Sequence, residues 1–322
     1  MENQQHSSSS DQNKTSWEKE VLEKLAFSAI DEQKRTRRWG IFFKLLTFAY
    51  LSVLLAMVVY PRFEEEIGGS KEHVAVVDVL GMILEGEAAD ANNVIEGLRD
   101  AIKDKNTKGV ILNINSPGGS AVQSAYIYDE IRRQKKLHPD LPIYAVVGDM
   151  CASGGYYVAA AADKIYVSPA SLIGSIGVVM NGFGFTNVLE KLGVERRLLV
   201  AGKNKAFLDP FSPVNQVEET HMQTLLDEVH QQFISAVKEA RGGRLKETPD
   251  MFSGLVWNGE DGVKLGLADG FGSVDSVARE ELGVEEKLNF TPQDRLIDRL
   301  AGKFGASFAH TVGTASRSIN FQ

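Results

Sequence analysis

A side chain that attacks a carbonyl needs an exposed nucleophile, a base to take its proton, and backbone donors for the developing oxyanion. Two glycine-rich stretches of this sequence offer the first and the last. In Ser116-Pro117-Gly118-Gly119, between a strand pattern and a helix pattern, glycine lets backbone N–H groups turn toward a bound oxygen. A tight turn with no chemistry would read the same. In Cys151-Ala152-Ser153-Gly154-Gly155-Tyr156-Tyr157, Ser153 follows a strand pattern and opens an alanine-rich helical one. A hydroxyl there meets backbone donors and the positive end of a helix dipole. Serine is also a good N-cap, which is the plain alternative. The stretch is not G-x-S-x-G, because Cys151 takes the first glycine position.

The base is the harder question. Histidine is the usual partner of serine, yet none lies between His138 and His221. Lysine serves where burial keeps its amine neutral. Gly202-Lys203-Asn204-Lys205-Ala206-Phe207-Leu208-Asp209-Pro210-Phe211 sets two lysines among apolar and aromatic neighbours. Spacing alone does not choose between Lys203 and Lys205. Other chemistries find no support. There is no P-loop, Gly182-Phe183-Gly184 lacks the third glycine of a dinucleotide fingerprint, and no HExxH or Cys/His cluster is present. Ser235-Ala236-Val237-Lys238 matches S-x-x-K inside an amphipathic helix, without the companion S-D-N and K-T-G motifs. No metal and no cofactor are expected.

The elements that must position these residues alternate. Strand patterns at 73–79, 109–114, 143–147 and 165–167 are separated by helical ones at 90–105, 120–132 and 153–163, which predicts a mostly parallel sheet under helices. Val214 to Arg241 is a long amphipathic helix with Met222, Leu225, Leu226, Val229, Phe233 and Val237 on its apolar stripe. His221 and His230 on it are read as packing or surface residues.

Before this region lies a different kind of sequence. Residues 1–38 are polar and then basic, with disorder expected at the start. Trp39 to Tyr60 is apolar with Lys44 as its only charge, long enough to cross a bilayer. Lys34, Arg35, Arg37 and Arg38 precede it and Glu64, Glu65 and Glu66 follow, so the N-terminus is expected in the cytoplasm and the remainder outside. A linker is expected at 61–72, a catalytic domain at 73–290 and a tail at 291–322. The formal net charge of −8 and the absence of a basic, aromatic-interleaved stripe argue against nucleic acid as a partner. The single cysteine, Cys151, leaves no intramolecular disulfide.

Asn115 to Ser120, Asp149 to Tyr157, Gly174-Ser175-Ile176-Gly177 and Gly202 to Phe211, in this order, closely resemble the S49 family of bacterial serine proteases, in the short, single-repeat form of signal peptide peptidase A. The resemblance runs from about Val74 to Val274. It implies the ClpP/crotonase-like α/β superfold, with Ser153 as nucleophile, Lys205 as general base, Ser175 as the hydroxyl orienting the lysine, and Gly118 and Gly119 as the oxyanion turn. It further implies a single-pass protein of the bacterial inner membrane with a periplasmic catalytic domain. Its homo-oligomer, an octameric ring, would share each site between subunits and cleave apolar peptides such as spent signal peptides. Envelope quality control is an alternative role, and a crotonase-type acyl-thioester enzyme and a catalytically idle membrane scaffold are rival readings. Cys151 is a departure, where a small residue such as alanine is common.

Overall fold

The computed structural model describes residues 34–35, 37–55 and 71–292. The chain divides into two compact units, Met1–Ser70 and Lys71–Gln322. The expected N-terminal disorder, most of the 61–72 linker, the 291–322 tail beyond residue 292, and the end of the apolar span at Tyr60 lie outside the described residues.

In the first unit, helix α1 (Arg37–Leu55) is 19 residues long and none of it is buried by protein. Trp39, Phe42 and Phe43 cluster at its start with ring centroids 5.7 Å apart. Such rings suit the edge of a hydrocarbon layer.

The second unit is built on an eight-stranded sheet. Its strands are β1 (His73–Ile83), β2 (Thr107–Gly119), β3 (Ile143–Ala152), β4 (Lys164–Val167), β5 (Leu172–Gly174), β6 (Val256–Asn258), β7 (Gly270–Phe271) and β8 (Lys287–Asn289). The order is β6-β5-β3-β2-β1-β8, with β4 pairing β3 and β7. Every pair is parallel except β5 with β6. Parallel strands need crossovers. Helices α2 (Ala91–Lys103), α3 (Ala121–Leu137) and α4 (Gly154–Ala160) supply the first three, and α5 (Thr186–Lys191), α6 (Gln216–Arg241), α7 (Gly259–Lys264) and α8 (Val274–Glu280) follow.

The near-continuous apolar runs of β1 to β3 follow from burial on both faces. One face carries the main core, with Val77, Leu112, Ile114 and Ala145 under Val94, Leu98, Ile127, Ile131, Val158, Phe233 and Val237. On the other face Val74, Ile111, Val146 and Tyr166 meet Val277 and Ala278 of α8. The glycines and alanines of α4 let it lie buried, all but Tyr157, among β2, β3, α3 and α6.

Several boundaries differ from the sequence reading: β1 runs on to Ile83, α3 to Leu137 and β3 to Ala152, beyond the expected ends at 79, 132 and 147. β2 does not stop at Ile114. Its ladder with β1 resumes after a bulge, pairing Met82 with Gly118 and Ile83 with Gly119, so the stretch expected as a turn is extended strand. Helix α4 ends at Ala160 rather than near Asp163, where Asp163 N–H instead donates to Ile143 O (2.8 Å). The stripe of α6 is buried only toward its C-terminal end, at Phe233, Val237 and Ala240. Residues 178–215 and the first turns of α6 leave large apolar side chains in the open, Leu199 at 96%, Phe183 at 80% and Val179 at 78% exposure.

Candidate active site

Ser153 stands in the one-residue gap between β3 and α4, with φ 52° and ψ −122°. That is forbidden ground for most L-residues and costs on the order of 1–3 kcal/mol. Two backbone bonds hold it: its N–H donates to Gly174 O (2.8 Å) and its carbonyl accepts Tyr157 N–H (3.0 Å). Its hydroxyl makes no capping bond, so the N-cap alternative lacks its defining contact. The hydroxyl is half-buried and, among the described residues, unengaged.

Glycines surround it for steric reasons. Gly118 has φ 98°, and a Cβ there would stand 2.6 Å from Gly154 N and 2.8 Å from Ser153 Cβ. The end of β2 therefore lies directly against the serine turn. A Cβ on Gly155 would come within 3.0 Å of Ser116 O, and one on Gly154 would collide with Ser124 Oγ. Gly118 N–H donates to the buried Ser116 Oγ (3.1 Å), which donates in turn to Gly81 O (2.6 Å). Ser120 N–H donates to Ile83 O (2.8 Å). Alternate residues of a parallel strand bond to a given neighbour, so the Gly119 amide faces away from β1. Its nitrogen lies 3.2 Å from where a Gly154 Cβ would be, on the serine side.

Ser175 repeats the pattern of Ser153. It is half-buried at φ 52°, and its N–H donates to Leu255 O (2.8 Å). Gly174, at φ 97°, packs under the Trp257 indole, 2.9 Å from Cδ1 to an added Cβ. The Ile176 carbonyl is bonded to His230 Nε2 (3.0 Å). Because Gly174 O also holds Ser153 N–H, one short segment fixes both serines. Lys205 is at the surface. It lies in a run of turns, its N–H on Gly202 O (3.1 Å), and is exposed, as is Lys203. Among the described residues the Lys205 ammonium, like the Ser153 and Ser175 hydroxyls, has no hydrogen-bonding partner within the chain.

Known proteins resemble this arrangement in sequence. The profile of peptidase family S49 matches residues 135–288, and that of Clp protease matches residues 76–173. The Na(+)/H(+) antiporter NhaA of Brucella abortus is 45% identical over 203 residues, which is 63% of this chain but 27% of that protein. The putative signal peptide peptidase SppA of Enterococcus faecium is 32% identical over 231 residues, 69% of this chain and 66% of the relative. A putative protease of Methanocaldococcus jannaschii is 31% identical over 250 residues, 74% of this chain and 79% of the relative. The chain belongs to peptidase family S49. Its fold is the ClpP/crotonase-like α/β fold, as the sheet order and the Clp protease match require together.

In this S49 domain Cys151 is wholly buried, and burial pushes its thiol up, so it stays protonated and out of reach. Two supporting residues, Ser116 and Trp257, were given no role in the sequence reading, and a third, His230, was read only as packing or surface. Ser116 sits in the same motif as the glycines, and its buried position after an apolar strand was the available signal. His230 and Trp257 touch the Ser175 segment, at Ile176 and Gly174, from 54 and 83 residues away, a distance over which sequence pattern carries no information.

Proposed function

We propose that this chain is a membrane-anchored serine endopeptidase that uses Ser153 and Lys205. The observation that carries the reading is the strained Ser153 turn, with an unengaged hydroxyl against Gly118 and Gly119, in a chain of the S49 family. Backbone strain at a single serine between strand and helix has no structural benefit of its own, and such strain is maintained where it presents a group for chemistry.

The neutral Lys205 amine takes the Ser153 Oγ proton as Oγ attacks the peptide carbonyl. The Gly119 amide donates to the oxyanion. Gly118, whose own N–H is engaged by Ser116, contributes by bringing the strand close enough. The lysine ammonium then protonates the leaving amine, and water, deprotonated by the same amine, cleaves the acyl-enzyme. Ser175 orients the lysine. The pair is supplied by two subunits of a ring, eight in the family's pattern. Helix α6 supports this arrangement. Glu218 on its first turn holds Leu208 of the lysine loop, and His230 holds Ile176 beside Ser175. Twelve residues of helix set those two anchors about 18 Å apart. Enclosure by a neighbour supplies the desolvation that a lysine base needs, and it covers the apolar side chains left open on residues 178–215.

Helix α1, about 28 Å long at 1.5 Å per residue, anchors the chain in the inner membrane, basic flank inward, and presents the catalytic unit to the periplasm. Substrates are extended apolar peptides, including remnant signal peptides. The test mixes Ser153→Ala and Lys205→Ala proteins under conditions of subunit exchange and follows hydrolysis of a fluorogenic apolar peptide. Activity returning in the mixture supports a shared Ser–Lys site. If mixed rings form and stay inactive, the pair acts within one chain. Wild-type rates in either single variant would remove the assignment.

A further inference from the structure

The Lys205 side chain is exposed and, among the described residues, unbonded, so its position is inherited from the backbone of its loop. We propose that Asp209, Arg196 and Glu218 are positioning residues that clamp this loop and set where the lysine amine is delivered. The proposal rests on the reading of Lys205 as the base. It assigns to three charged residues a role that the motif alone does not disclose.

The clamp has two jaws. At the first, Asp209 is 9% exposed and ion-paired with Arg196. Its carboxylate also accepts Ser212 Oγ–H (2.5 Å) and Phe211 N–H (3.4 Å), and its own N–H donates back to Ala206 O (3.3 Å). The Arg196 guanidinium lies over the Phe211 ring, 5.3 Å from its centroid. Phe211 in turn stacks on Phe185 (5.4 Å, 28°), and Phe185 N–H donates to Pro210 O (2.7 Å). At the second jaw Leu208 adopts φ 51°, a left-handed conformation costly for a γ-branched residue. Its N–H donates to Glu218 Oε2 (2.7 Å), while Glu218 Oε1 accepts from Asn215, the N-cap of α6. The strained residue lies three positions from Lys205 and is tied to the start of a 26-residue helix. A surface loop with no task has no reason to keep a partly buried ion pair and a left-handed leucine. Releasing either jaw lets Leu208 return to negative φ, which swings the lysine away. A misplacement of about 1 Å at a reacting group costs on the order of 10²-fold in rate.

The test uses the full chain in detergent with Asp209→Asn, Glu218→Ala and the reversed pair Asp209→Arg with Arg196→Asp. Hydrolysis of a fluorogenic apolar peptide gives kcat and KM, and light scattering gives the assembled mass. The expected result is kcat lower by about 10- to 100-fold with KM within twofold and mass unchanged. The reversed pair should recover part of what Asp209→Asn loses. Values of kcat within twofold of wild type in both Asp209→Asn and Glu218→Ala would overturn the proposal. So would loss of assembly that the reversed pair restores without restoring kcat, since the cluster would then serve packing alone. Lys205→Ala separates the two levels. If it remains active, the reading of Lys205 as the base fails, and the clamp with it. If it is inactive while the clamp variants are not, only the clamp fails.

Discussion

Replacing Ser153 by glycine should make the protein more stable than replacing it by alanine, although both changes abolish hydrolysis. Alanine removes the hydroxyl and keeps the Cβ, so the backbone at φ 52°, ψ −122° stays as strained as in the parent chain. Glycine removes the strain as well. Relief is worth about 1–3 kcal/mol. Against it stands the extra freedom of glycine in the unfolded chain, about 0.5–1 kcal/mol. The net preference for glycine is about 0–2.5 kcal/mol, centred near 1, and in a domain of this size each kcal/mol raises Tm by about 2–4 °C. Ordinary positions show the reverse order, since Gly→Ala at negative φ stabilises. The assay is a thermal melt of the two full-length variants under identical detergent and concentration, followed by circular dichroism, with peptide hydrolysis measured alongside. An alanine variant as stable as the glycine one, or more so, would refute the claim that the serine turn stores strain.

Gly118→Ala adds a Cβ 2.6 Å from Gly154 N and 2.8 Å from Ser153 Cβ at a φ of 98°, so the serine turn must retreat. Peptidase kcat should fall by about 10²-fold or more while KM stays within a few-fold, and an unchanged kcat would separate this contact from the chemistry. Glu130, nearly buried, accepts from Arg133 (2.7 and 2.8 Å), Arg99 (2.8 Å) and Gln134 (2.8 Å). The Arg133 bond first, with Arg99 and Gln134 adding to it, holds its carboxyl well below the usual carboxylate range against the opposing pull of burial. A depressed folded-state pKa gives stability that is complete above the unfolded value and is lost as pH falls toward the folded one. Glu130→Gln should therefore destabilise by about 2 kcal/mol at pH 7, and the gap between the two denaturation curves should narrow below about pH 4.5. A gap independent of pH would show that the charge is not what matters.

The order of β1 to β4 with α2 to α4, and helix α6, was legible because each is an apolar pattern of period 2 or 3.6 read within about fifteen residues, whereas the short β5 to β8, α5, α7 and α8 were not read. Val94, Leu98 and Ala101 of α2, or the apolar run of β1, face the core whatever their partners are. The end of β2 was misread for the same reason. Ser116-Pro117-Gly118-Gly119 has turn composition, and only the resumed ladder with Met82 and Ile83, more than thirty residues earlier, draws it out as strand.

The sequence by itself offered the candidates: Ser153 between a strand and a helix pattern among glycines, and two lysines, Lys203 and Lys205, between which spacing did not choose. Those are properties of residue type and short spacing. Tertiary structure alone decided how Ser153 is strained, that Gly118 abuts it, that Gly174 O holds its amide, and that α6 carries Glu218 and His230 to two different loops. These contacts join positions 10 to 54 residues apart, and no local propensity encodes them. They exist because a parallel sheet must be closed by crossovers, and the crossovers bring the ends of β2, β3 and β5 to one place.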